Sequence, residues 1–212
     1  MGLMGFVMKF TSISTYDGYL VAEFPELIRK WNYLGFFTYT TNILVDFWLV
    51  LIALAILFRN NAMRDFLAKA SVQGFLTVMI FTVGAIYCCF MLWFDKLFSR
   101  NLWWGNAINI WHHVAMPSFM VFLFFRPADR SRLGGKDLGL WTIYPIGYLI
   151  VTLVRGSGVH WYPYPFFDQS WEMFANWGIA PRLGICIAIA FVTVFIISIS
   201  MLVIKIHNRI IK

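Results

Sequence analysis

The chain has 212 residues, of which 60% are hydrophobic and 13% charged, with a mean hydropathy of +0.72 and a formal net charge of +7. These values exclude an ordinary water-soluble domain, in which about a quarter of the residues carry charge. In so apolar a chain, a positive balance points to loops facing anionic lipid rather than to nucleic-acid recognition.

The first 33 residues come before any run long enough to span a bilayer. Met1–Met8 is apolar but short, and no small-residue cleavage site follows it, so a signal peptide is not expected. The segment reads either as the truncated tail of a further helix or as a short interfacial stretch. Residues 11–19 then read as a polar loop, and 23–30 as an amphipathic lead into the first clear span.

Five apolar runs follow, at 34–58, 73–94, 107–125, 138–154 and 183–204. A run of about 20 residues crosses the hydrocarbon core as a helix, and only a helix satisfies its own backbone there. The expected fold is therefore an all-α polytopic bundle forming one integral membrane domain. The loops at 59–72 and 126–137 and the C-terminal tail contain Arg59, Arg64, Lys69, Arg126, Arg130, Arg132, Lys136, Lys205, Arg209 and Lys212. The opposite side holds Lys9, Arg29, Lys30, Lys96, Arg100, Arg155 and Arg182. Ten against seven orients the basic end and the C-terminus to the cytoplasm of a plasma-membrane protein.

The segment between Arg155 and Arg182 is rich in Trp, Tyr and Pro, including Trp161 and Tyr164. Such rings with one polar edge suit the headgroup zone, and they equally suit a lid over an outward-facing cavity. Cys88, Cys89 and Cys186 all lie in apolar runs, so no disulfide framework is expected. No CxxC, HExxH, GxSxG or Walker spacing occurs. A b-type haem would need a second axial histidine facing His112 or His113. The other two, His160 and His207, sit in a loop and at a helix end, so no cofactor is expected.

The chemistry concentrates in two spans. On the first, Thr38, Thr41 and Asn42 share a helix face that Asp46 continues, and a polar stripe in lipid faces the bundle interior. On the third, His112 and His113 precede Pro117, which has no N–H for the His113 carbonyl and so leaves that carbonyl free for another group. Counting at about 1.5 Å per residue puts Thr41, both histidines and Tyr148 of the fourth span near one depth. A hydroxyl beside a neutral imidazole is the minimum for nucleophilic catalysis on an ester carbonyl. The same layer would also hold a polar headgroup without turning it over.

The order of the elements Thr38-Tyr-Thr-Thr-Asn42, His112-His-Val-Ala-Met-Pro117, Tyr144-Pro145 and Trp161-Tyr-Pro-Tyr-Pro-Phe166 resembles the androgen-induced-protein-like family. It is more similar still to that family's bacterial six-helix relatives of unknown function. The resemblance runs from about residue 5 to the last span. It implies a membrane-embedded threonine hydrolase cleaving fatty acid esters of hydroxy fatty acids, with Thr41 as nucleophile. For the base, the eukaryotic pattern implies His112 and the bacterial one His113. The chain differs from the family in its short first segment, and in Asp46, which matches no family role. Substrate contacts are expected from Thr38, Asn42, Asp46, Tyr148, Trp161 and Tyr164. The expected partners are membrane lipids and a lipid-like substrate. The alternative is a non-catalytic lipid-binding or transport protein built on the same layer.

Overall fold

The computed structural model describes residues 31–32, 34–91, 110–170 and 172–212. The expectations for residues 1–30 lie outside this set, as do the end of the second run and the start of the third. Seven α-helices are described: α1 (Phe37–Leu57), α2 (Asn61–Leu67), α3 (Ala70–Ile86), α4 (Met116–Phe124), α5 (Gly135–Val159), α6 (Glu172–Asn176) and α7 (Pro181–Ile210). No strand occurs among the described residues, and the molecule is an all-α bundle. Four helices are long and apolar enough to cross a membrane: α1, α3 with its extension to Cys89, α5 and α7. The third apolar run is helical from Ile110 to Phe124, as a π-helical turn, Trp111–Ala115, leading into α4.

Local chemistry sets the helix ends. The Asn60 side chain accepts from the Met63 N–H and starts α2. Asp137 accepts from the Gly134 N–H at 2.8 Å and closes the first turn of α5. Pro181 opens α7, where its missing N–H loses nothing. At the far end of α5 the helix runs on past the apolar stretch to Val159, and His160 closes it in the left-handed region at φ 52°. Arg155 is therefore a helical residue and not, as its position after the apolar run suggested, the start of a loop.

Helix α3 is the centre of the bundle, packed against α1, α4, α5 and α7. Its most apolar stretch is 56% buried, against 11% for α5, whose Ile143, Ile146, Ile150 and Val154 face outward. Small residues let neighbours approach α3 closely, as is usual where lipid removes any hydrophobic drive between helices. A β-carbon on Gly74 would lie 2.7 Å from the Trp141 ring, and Trp141 donates its indole N–H to the Ser71 carbonyl. One on Gly84 would lie 2.7 Å from the His113 carbonyl and 2.9 Å from Pro117. Two apolar clusters fill the interior, one around Val78, Met79, Trp141 and Ile199, the other around Val45, Ile80, Met116 and Met120.

The three basic segments meet at one end of the bundle. Asp129 accepts from the Ala70 N–H and from Ser131, Asn208 pairs with both backbone groups of Leu133, and the buried His207 meets the Ser131 carbonyl at 2.9 Å. Burial works to raise the Asp129 carboxyl, but the hydrogen bonds from Ser131 and Ala70 outweigh it and hold the group below its ordinary value. All ten Lys and Arg residues of these segments are exposed.

Candidate functional site

Helix α1 carries the polar face anticipated from its spacing. Thr41 is 0% exposed and Asn42 2%. The Thr41 hydroxyl lies 3.1 Å from that of Tyr144, on α5, and Tyr144 donates to the Thr40 hydroxyl at 3.0 Å. Thr40 in turn donates to the Phe36 and Phe37 carbonyls. Since a phenol has one proton and Tyr144 gives it to Thr40, Thr41 is the donor to Tyr144. The proton chain thus runs from Thr41 through Tyr144 and Thr40 to the backbone.

The two histidines diverge. The Met116 N–H reaches the Trp111 carbonyl, the five-residue spacing of a π-turn, so His112 and His113 sit on a widened turn. His112 is 2% exposed and faces α1: its carbonyl accepts from Asn42 Nδ2 at 3.4 Å, and the Tyr39 ring meets the imidazole edge-on at 5.6 Å. His113 is half-buried and stacks on Tyr87, at the end of α3, with ring centroids 4.0 Å apart. The carbonyl that Pro117 frees, that of His113, is the group against which Gly84 packs. Asn42 Nδ2 also donates to the Thr38 carbonyl at 2.8 Å, while its buried Oδ1 has no hydrogen-bond partner among the described residues.

Of the residues named from sequence, the structure links Thr38, Asn42 and His112 through the Asn42 amide, and joins Thr41 to Tyr144. His113 lies to one side, against α3. Asp46 is half-buried one turn further along α1 and has no part in these hydrogen bonds. Tyr148 is displaced by one turn from its anticipated partner: its hydroxyl donates to the Gly35 carbonyl at 2.7 Å, and Tyr144 takes the place beside Thr41. The signal for Tyr144 was present, since Tyr144 and Tyr148 share a helix face at i, i+4. Counting residues from the ends of apolar runs fixes depth only to about one turn, because helix ends and tilts are not visible in the sequence.

The aromatic segment after α5 packs inward. Trp161 is 5% exposed, with its ring 5.8 Å from Phe36, and Tyr164 meets the same Phe36 ring at 5.7 Å. Burial pushes the Tyr164 phenol up to about 12. These two rings cover the head of α1, whereas Trp177 is 62% exposed, as an interfacial ring would be. Between α1, α5 and this cover lies a partly open groove of about 210 Å³, lined by Thr40, Tyr144, Tyr148, Val151 and Arg155 among others. Val151 is 64% exposed, so the groove borders the lipid-facing surface of α5.

The arrangement offers a threonine hydroxyl bonded to a phenol, a buried imidazole against the Tyr39 ring of the threonine's helix, an unused amide acceptor and an apolar groove lined by Thr40 and Tyr144. Comparison with family models, curated proteins and solved structures finds no match to this chain.

Proposed function

We propose that the chain is a membrane-embedded hydrolase of lipid or fatty-acyl esters, with Thr41 as nucleophile and His112 as general base. The observation that carries this reading is the buried Thr41–Tyr144–Thr40 chain, whose Tyr144 and Thr40 line a groove bordering the lipid-facing surface of α5. An acyl chain entering the groove from the bilayer would bring its carbonyl to Tyr144 and Thr40, one hydrogen bond away from the Thr41 hydroxyl.

In the reaction, Thr41 Oγ1 attacks the ester carbonyl as its proton passes to His112. The resulting oxyanion accepts a hydrogen bond from the Tyr144 hydroxyl, and the bond to the alkoxy oxygen breaks as the imidazolium returns the proton to the departing alcohol. Water, deprotonated by the same imidazole, then attacks the Thr41 ester, and the imidazolium returns that proton to the departing Thr41 oxygen as the carboxylic acid is released. Attack requires Thr41 to exchange its Tyr144 hydrogen bond for one to the imidazole, and Tyr144 to turn its proton from Thr40 to the oxyanion. Asn42 holds the His112 backbone, and in this reading its unused Oδ1 orients a substrate or water hydroxyl. His113, stacked on Tyr87, is the less suited of the two bases.

The exposed basic end favours an orientation with the C-terminus in the cytoplasm of the plasma membrane. The site then lies toward the outer leaflet, the end remote from those loops.

One observation favours the second reading, a lipid-binding or transport protein. The hydrogen-bond partner of Thr41 is a phenol rather than an imidazole. Asp46 would then act as a recognition or proton-relay group. Lipid retention without turnover, weakened by Asp46→Asn, favours binding. Ester cleavage that Thr41→Ala abolishes in well-folded protein favours hydrolysis.

A further inference from the structure

Arg155 lines the groove near the end of α5 remote from the basic loops. A guanidinium remains charged at any physiological pH, and a cation on a membrane-spanning helix calls for a counter-charge. Among the described residues, no carboxylate lies within ion-pair distance of it. Its protein contacts are the side-chain oxygen of Asn32, with which it hydrogen-bonds, and the Trp161 ring, whose centre is 5.5 Å away. An arginine that only snorkelled to the interface would extend away from the bundle. Arg155 is half-buried and turns inward instead.

Asn32 is 0% exposed, and its Nδ2 has no hydrogen-bond partner among the described residues. A charged donor without an anion therefore adjoins a buried donor without an acceptor. The walls beyond them are apolar or hydroxylic: Leu34, Gly147, Val151 and Pro163, then Tyr144 and Thr40. The volume of about 210 Å³ has room for roughly seven water-sized groups, enough for a head and the first part of one chain and too little for a two-chain phospholipid.

We propose that Arg155, held by the Asn32 side-chain oxygen, forms the head site for a single-chain lipid with an anionic end, a carboxylate or a phosphate, whose chain runs down the groove toward Tyr144 and Thr40. The fork of the guanidinium matches either anion in a bidentate pair. Some 16 Å of helix separates Arg155 from Tyr144, so a held anion leaves the chain beside the hydroxyl layer. The inference rests on the groove being the lipid site of the preceding subsection. It survives if the site proves to bind without catalysing.

The test is binding of radiolabelled dodecanoate to the full chain purified in a neutral detergent, with dodecyl phosphate and methyl dodecanoate as competitors. Dodecanoate has no ester to cleave, so a failed hydrolase assay and a failed binding assay remain distinct results. Saturable binding is expected, displaced by dodecyl phosphate and about tenfold or more less well by the methyl ester. Arg155→Gln should weaken dodecanoate binding by about tenfold or more, with Arg155→Lys in between. Equal competition by the methyl ester on wild-type protein would overturn the proposal, and that arm stands even if a variant fails to fold. So would unchanged dodecanoate binding by an Arg155→Gln protein of wild-type helicity.

Discussion

Tyr144 is the residue on which both the geometry and the chemistry of the site turn. Its single hydroxyl accepts from Thr41 and donates to Thr40, so Tyr144→Phe leaves Thr41 with no acceptor in a dry interior. The expected cost is about 1–3 kcal/mol of stability, read by thermal melting in detergent, with a loss in kcat of about 100-fold if the phenol serves the oxyanion. Thr41→Ser should keep most of the turnover and Thr41→Ala none. A Thr41→Ala protein as active as wild type rules Thr41 out as nucleophile. Thr38, Thr41 and Asn42 were legible as one face because helical spacing alone puts them there. The separate environments of His112 and His113 were not, because a π-turn, which no sequence pattern announces, decides where each ring points.

Among the elements, α3 sets the packing through its glycines. Gly84→Ala would drive a methyl group into the His113 carbonyl and Pro117 and should destabilise by about 1–3 kcal/mol. It should also lower activity by displacing the π-turn that carries His112. Gly139→Ala, with open space around it, should be neutral or stabilise by up to about 1 kcal/mol. Equal melting temperatures for the two variants would contradict the close α3–α4 contact. That Pro117 frees a carbonyl followed from its missing N–H, but the glycine that occupies the space beside it became visible only with the fold. At the other end of the bundle, the Asp129 clamp makes a pH prediction. Its folded carboxyl lies below the ordinary value near 4, so the clamp contributes above that pH and fails as pH falls through the depressed folded value. Hydrogen exchange at Ala70 and Ser131, corrected for intrinsic rates, should accelerate on acidification. Asp129→Asn should remove that acid step.

At the scale of the whole molecule, the membrane architecture was the most legible feature, because lipid tolerates only long apolar helices. The errors lie at the ends. Helix α5 covers Gly135–Val159 rather than 138–154, since Asp137 caps it early and it runs on past the apolar stretch to the left-handed His160. Helix α7 covers Pro181–Ile210, some 45 Å, and continues beyond the hydrocarbon core into the basic end. The tie from Leu133 and Ser131 to Asn208 and His207 requires the 126–137 loop and the C-terminus to share one side of the membrane. Cysteine introduced in a cysteine-free background at Lys136 or Lys212 should therefore label together with a membrane-impermeant maleimide, and only in inside-out vesicles. Labelling of the two positions from opposite sides would break the bundle described here, and joint labelling of right-side-out vesicles would invert its orientation.

The central claim is that the Thr41 layer cleaves lipid esters. The most direct measurement incubates the detergent-purified chain, with Thr41→Ala, His112→Ala and His113→Ala beside it, against a panel of lipid and branched fatty-acid esters, and reads the released acids by mass spectrometry. The expected result is turnover by wild type and by His113→Ala, lost in Thr41→Ala and His112→Ala. No turnover by folded wild-type protein across the panel, or turnover that survives in Thr41→Ala, contradicts it.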